Sequence, residues 1–212
     1  MDGSASPRAR RRAAELARRR ADVLEAAAEV FAERGFHDAQ IGEIAARAEV
    51  SRATLYDLFP SKEAIYSEVM LEAAREVRQR VEARAEAAAG PAERLLAVLQ
   101  ALFECFEEKR ALLRIYARAT QGDALRIGAE FGEEAARVFR DFSDWVAGLA
   151  AEARRRGLLP ELEPEAVAAA LIGGATVLAT RAVEGGRGDD LARAGRALRR
   201  VFEHLLAAEP GR

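Results

Sequence analysis

Apolar residues recur at intervals of three and four along almost the whole chain, and only a few glycines and prolines interrupt that period. In the first stretch Leu16, Val23, Leu24, Ala27, Val30 and Phe31 form one stripe, which stops at Gly35 as a left-handed cap would stop a helix. Ala, Leu, Glu and Arg dominate and β-branched residues are few, so propensity agrees with the period. An all-α protein is predicted. Short helices are expected over 41–48 and 51–58, separated by a turn at Glu49-Val50. Phe59-Pro60 closes the second, because a residue before proline is pushed out of helical geometry. Ser61 then suits the N-cap of a helix that carries Ile65, Val69, Ala73, Val77 and Val81 to the break at Gly90-Pro91. Further helices are expected over 92–107, 109–119, 123–156, 164–184 and 188–208. Gly122, Gly157, Pro160, Pro164 and Gly185-Gly186-Arg187-Gly188 punctuate them.

With 212 residues, half of them hydrophobic, the chain can bury one large core or two modest ones. The formal net charge is only -2, so any affinity for a polyanion must come from local placement of charge. Such a place exists: Arg8 to Arg20 holds seven arginines and one glutamate. A single cysteine, Cys105, excludes an internal disulfide, and the absence of an N-terminal apolar segment leads us to expect a cytoplasmic protein. A membrane partner is not expected either, because the alanine-rich stretch 166–179 is short and Gly173-Gly174 interrupts it. His37 and His204 have no metal-binding spacing, and no nucleophile elbow or phosphate loop is present. Neither a metal, a cofactor nor an enzyme is therefore expected.

Two short helices joined by a tight turn and held on a third make a helix-turn-helix, whose second helix can enter the major groove. Ile44, Ala45 and Ala48 suit the inner face of the first short helix, Val50 the turn, and Leu55 with Phe59 the anchor of the second. Arg52, Ala53, Tyr56 and Asp57 then point outward. Arg52 can donate to guanine or phosphate, Ala53 can touch a thymine methyl, and Asp57 can accept from a cytosine amino group. Ser51 starts this helix, and Thr54 and Tyr56 carry hydroxyls able to reach phosphates. Lys62, at the start of the following helix, is expected to clamp a phosphate.

The stretch "IGEIAARAEVSRATLYDLFPSKEAIY" resembles the N-terminal domain of TetR-family transcriptional repressors, over roughly residues 15–70. Three positions depart from the family pattern. Gln40 stands where a Thr usually caps the first short helix, Glu49 replaces the turn glycine, and Leu58 replaces a common His or Tyr. Residues 1–7 are expected to be disordered and the Gly90-Pro91 break to bound a domain; with the resemblance, this gives a helix-turn-helix domain (8–60), a connecting helix (61–90) and an effector-binding and dimerisation domain (91–212). It implies a homodimer that represses at a palindromic double-stranded DNA operator and is released by a small, apolar effector, with Gln40 among the DNA-contacting residues.

Beyond the resemblance, Phe103, Phe106, Tyr116, Phe131, Phe139, Phe142 and Trp145 crowd one part of the chain. Aromatics on long helices can wall an apolar cavity. Phe103, Phe106, Tyr116, Thr120, Phe139, Phe142, Trp145 and Thr176 are the expected effector contacts. In the last two helices, Leu171, Ala175 and Leu178 form one stripe and Leu191, Leu198, Val201, Phe202 and Leu205 another. Both stripes are expected to close a four-helix bundle between two copies. A helical ligand-binding protein with weak DNA affinity is the alternative, because of Gln40, Glu49 and Leu58.

Overall fold

The computed structural model describes residues 6–159, 161–185 and 190–207, and all its elements are helical. They are α1 (Pro7–Asp38), α2 (Ile41–Arg47), α3 (Arg52–Leu58), α4 (Lys62–Glu86), α5 (Pro91–Glu108) and α6 (Arg110–Thr120). A 3-10 turn (Ala124–Arg126), α7 (Ile127–Phe131), α8 (Glu133–Arg155), α9 (Pro164–Glu184) and α10 (Asp190–Ala207) complete the chain. The fold is all-α with an N-terminal helix-turn-helix. Contacts divide the chain into two compact units, one ending at Val69 and one starting at Met70. That division falls inside α4, not at Gly90-Pro91. Ile65 at the start of α4 is fully buried within the first unit, whereas Val81 and Ala85 belong to the core of the second.

The N-terminal unit closes around Val23, Val30, Phe31, Ile44, Leu55, Phe59 and Ile65, none more than 1% exposed. Ser6 caps α1 by accepting from the Ala9 amide at 3.2 Å, so helix begins at Pro7, inside the stretch expected to be disordered. Residues 1–5 of that stretch, together with Pro160 and Gly186-Arg187-Gly188, lie outside the described residues. Gly35 kinks α1 at a φ of 79°, and Leu16, assigned to the buried stripe, is 57% exposed. The apolar stripe of α1 therefore starts at Val23.

The second unit buries Leu95, Val98, Leu99, Val146, Ala150, Leu171, Ala175 and Leu191 in one cluster. The helix expected over 123–156 is broken at Gly132, whose φ of 93° suits only a residue without a Cβ. Ile127, Phe131 and Ala135 keep a four-residue spacing across the break and are all buried, which is why the period reads through it. α9 is long and apolar enough to cross a membrane, contrary to the sequence reading. It serves instead as a core helix, burying Val167, Leu171, Ile172, Ala175 and Ala179.

Candidate functional site

The turn between α2 and α3 is a Schellman closure. The Val50 amide donates to Ala45 O at 2.9 Å and the Glu49 amide to Ala46 O at 3.2 Å. Glu49 occupies the left-handed position with φ 55°, where the strain-free residue is glycine. Its carboxylate borders a shallow polar depression with Asp22, Glu25, Glu29 and Arg47. Gln40 precedes α2 in extended geometry without a side-chain cap, so the missing threonine leaves that cap unmade. α3 is capped instead: Ser51 Oγ accepts from the Thr54 amide at 3.0 Å and lies 2.9 Å from the Thr54 hydroxyl.

Leu55 and Phe59 turn inward, while Arg52, Ala53, Tyr56 and Asp57 are exposed on the other face of α3. Arg52 is not free to wander. Its guanidinium lies across Gly42, where an added Cβ would stand 2.2 Å from Nη2. Lys62 departs from the phosphate-clamp expectation, because its ammonium donates to the carbonyls of Phe36 (2.7 Å), His37 (3.2 Å) and Ala39 (3.1 Å). It also sits 4.5 Å from the centre of the Phe36 ring. All three donors of this ammonium are used to tie down the end of α1. Arg20 does a similar task at the other end of the motif. It donates to Leu58 O at 2.6 Å, ion-pairs with Glu68 and lies 4.1 Å over the Phe59 ring.

Within the second unit, α4 to α9 surround an apolar cavity of about 160 Å³. Of the expected effector contacts, Phe106, Tyr116, Phe139, Phe142 and Thr176 line it. Three do not. Phe103 faces α10, where an added Cβ at Gly195 would come within 3.0 Å of its ring. Thr120 is wholly buried and closes the end of α6, donating to Tyr116 O at 2.8 Å and accepting from the Gly122 amide at 3.2 Å. Trp145 stacks on Phe142 from outside the lining, at 5.8 Å. Sequence reasoning missed Met70, Ala73 and Val77, the wall from α4, although their helical spacing was visible; it also missed Cys105, while Phe131, one of the crowded aromatics, lines the cavity without having been singled out as a contact. Among the described residues, Arg78 and Lys109 are the charged ones that line it. Burial pushes both the Cys105 thiol and the Tyr116 phenol above their ordinary ranges, so both stay neutral near neutral pH.

Residues 23–69, which contain this motif, match the family described as bacterial regulatory proteins, tetR family. The HTH-type transcriptional regulator YdgC of Bacillus subtilis is 30% identical over 156 residues, which are 71% of this chain and 74% of its own length. The chain belongs to the TetR family. Another relative is the HTH-type transcriptional repressor KstR2 of Mycobacterium tuberculosis, 33% identical over 112 residues. That match covers 53% of this chain and 54% of KstR2, about half of each. Across nearly full lengths, the fold is that of the transcriptional regulator FadR from Bacillus subtilis in complex with stearoyl-CoA. The TM-score is 0.73 at 21% identity, covering 88% of this chain and 97% of FadR.

In this TetR-family chain the stripes expected to join two copies are largely used at home. Leu171, Ala175, Leu191 and Phe202 are at most 3% exposed within their own unit, and Leu178, Leu198 and Leu205 pack half-buried on the same core. The period identified apolar faces correctly but could not distinguish a core from an interface. Gly174 lets α10 approach, since an added Cβ there would lie 3.4 Å from Leu198, whereas Gly173 opens outward. Apolar residues left exposed include Ala166, Ala170 and Val177 on α9, in line with Gly173, and Ala197 and Val201 on α10.

Proposed function

We propose that this TetR-family transcriptional regulator is a cytoplasmic homodimeric repressor, which binds a palindromic double-stranded DNA operator and is released by a small apolar effector. The observation that carries the reading is the helix α4. It begins four residues after α3, and further on, through Met70, Ala73 and Val77, it walls an apolar cavity. A void of about 160 Å³ is close to the roughly 150 Å³ engineered cavity that holds a benzene-sized guest. A longer effector must therefore push the walls apart, and α4 is one of them. Moving α4 would change how two copies of α3 are presented to two half-sites about 34 Å apart.

Arg52, Ala53 and Asp57 are the proposed base readers, with Tyr56 and the Ser51–Thr54 hydroxyl pair on phosphates. Gln40 is the weakest of the proposed contacts. The proposed dimer face is Ala166, Ala170, Gly173 and Val177 with Ala197 and Val201, all exposed on α9 and α10. Lining that is apolar except for Arg78 and Lys109 favours an acyl chain with an anionic head, in keeping with the stearoyl-CoA bound by FadR.

The test begins with selection of a duplex from a random pool, followed by anisotropy titrations of that duplex with and without stearoyl-CoA. Binding of the acyl thioester should weaken DNA binding at least about fivefold, and DNA should weaken acyl binding by the same factor. Independent binding of the two would exclude ligand control, and no enriched duplex would favour the ligand-binding alternative.

A further inference from the structure

Residues 6–19, the first third of α1, are helical yet exposed throughout, so their side chains serve no core within this chain. From Pro7 to Arg19 there are six arginines and one glutamate, a net +5 on a chain whose total is -2. At about 100° per residue, Arg8, Arg11, Arg12, Arg18 and Arg19 fall within an arc of about 120°. Among the described residues, the one ion pair in this arc is that of Arg19 with Glu15 at 2.6 Å.

Several exposed arginines elsewhere have a carboxylate partner, among them Arg47 with Glu33, Arg80 with Glu108, Arg140 with Glu133 and Arg199 with Glu203. In the arm six arginines share one glutamate, and like charges three and four apart, as at Arg8 with Arg11 and Arg12, disfavour its own helix. A polyanion laid along the arc would reverse that cost.

We propose that Arg8–Arg19 is a helical arm that grips the phosphate backbone of double-stranded DNA without reading sequence, a proposal that rests on the DNA-binding reading above. Its position follows from Arg20. That guanidinium fastens the root of the arm to Leu58 O, the last carbonyl of α3, and to Glu68. The arginine arc therefore starts beside the end of the reading helix. From Arg8 to Arg19 the helix rises about 17 Å, or about five phosphate steps along one strand. Five arginines face that span.

The experiment compares the full chain with a variant in which Arg8, Arg11, Arg12, Arg18 and Arg19 become Gln, and with one in which they become Lys. Binding to an arbitrary-sequence duplex is followed by anisotropy from about 50 to 200 mM salt, with circular dichroism confirming helix. The Gln variant should lose about 0.9 in log-log salt slope for each phosphate released, up to about 4.5 per protomer, and the Lys variant should keep the slope. Preference for a selected site over scrambled DNA should not change. Equal slopes for wild type and the Gln variant would overturn the arm and leave DNA binding by α3 intact. No salt-dependent association of the wild type would overturn both. Arm-dependent capture by phosphatidylserine vesicles, with equal slopes on DNA, would assign the arm to a lipid surface and overturn the proposal.

Discussion

The N-terminal unit is filled to its centre with side chains such as Phe31, Leu55 and Phe59, whereas the larger unit keeps a cavity among side chains of the same apolar kind. The cations differ too. In the first unit Lys62 and Arg20 close on backbone carbonyls and fix where helices end. In the second, Arg78 and Lys109 border the cavity and pair with acidic side chains, Glu82 and Glu76. A reading helix has to be held in one register, and a close-packed interior resists deformation. In the proposed function the larger unit has to accept a guest, and its interior keeps room for one.

Adding the same side chain to both interiors tests this difference most severely. Ala45→Phe, at a position 2% exposed in the filled unit, should destabilise by about 1–3 kcal/mol or more in urea melts. Ala135→Phe, at a position 3% exposed beside the cavity, should cost less than about 1 kcal/mol while abolishing the response to stearoyl-CoA. Equal costs would mean that the void is not usable space.

The turn offers a smaller effect of opposite sign. Glu49→Gly should stabilise the protein by about 1 kcal/mol, because the left-handed φ of 55° no longer strains a Cβ. Removing a carboxylate from the helix-turn-helix should also strengthen DNA binding at low salt more than at high salt. Unchanged urea midpoints would show that the Schellman closure already absorbs the strain.

The smallest effect depends on pH. Both guanidinium nitrogens of Arg47 bond the Glu33 carboxylate, at 3.0 and 3.1 Å, and hold its pKa below 4.5. A depressed carboxylate pKa stabilises the fold above the unfolded value, and that contribution disappears as pH falls through the folded value. Glu33→Gln should therefore lower the melting temperature slightly at neutral pH, and the difference from wild type should fade as pH falls through the lowered titration range of the folded carboxyl. The pair is exposed, so the shift should also shrink with salt.

Much of the first unit was legible because its signals are local. The Phe59-Pro60 stop, the Ser51 cap and the inward pair Leu55 and Phe59 lie within ten residues, and the exposed face of α3 follows from them by helical period alone. Lys62 was misread because its partners, Phe36, His37 and Ala39, are more than twenty residues away. The long helix expected over 123–156 was misread because Gly132 changes the backbone direction without disturbing the spacing of Ile127, Phe131 and Ala135.

The sequence by itself determined that the protein is helical, where most helices begin and end, and which residues of the motif face out, because periodicity, capping and proline sterics act over a turn or two. Only the tertiary structure decided which of the apolar faces on α9 and α10 is core, which aromatics border the cavity, and where the division of α4 falls. Those choices depend on residues from different helices meeting in space. Hydrophobic burial has no direction of its own, so a one-dimensional pattern marks that a face is to be covered without saying by what.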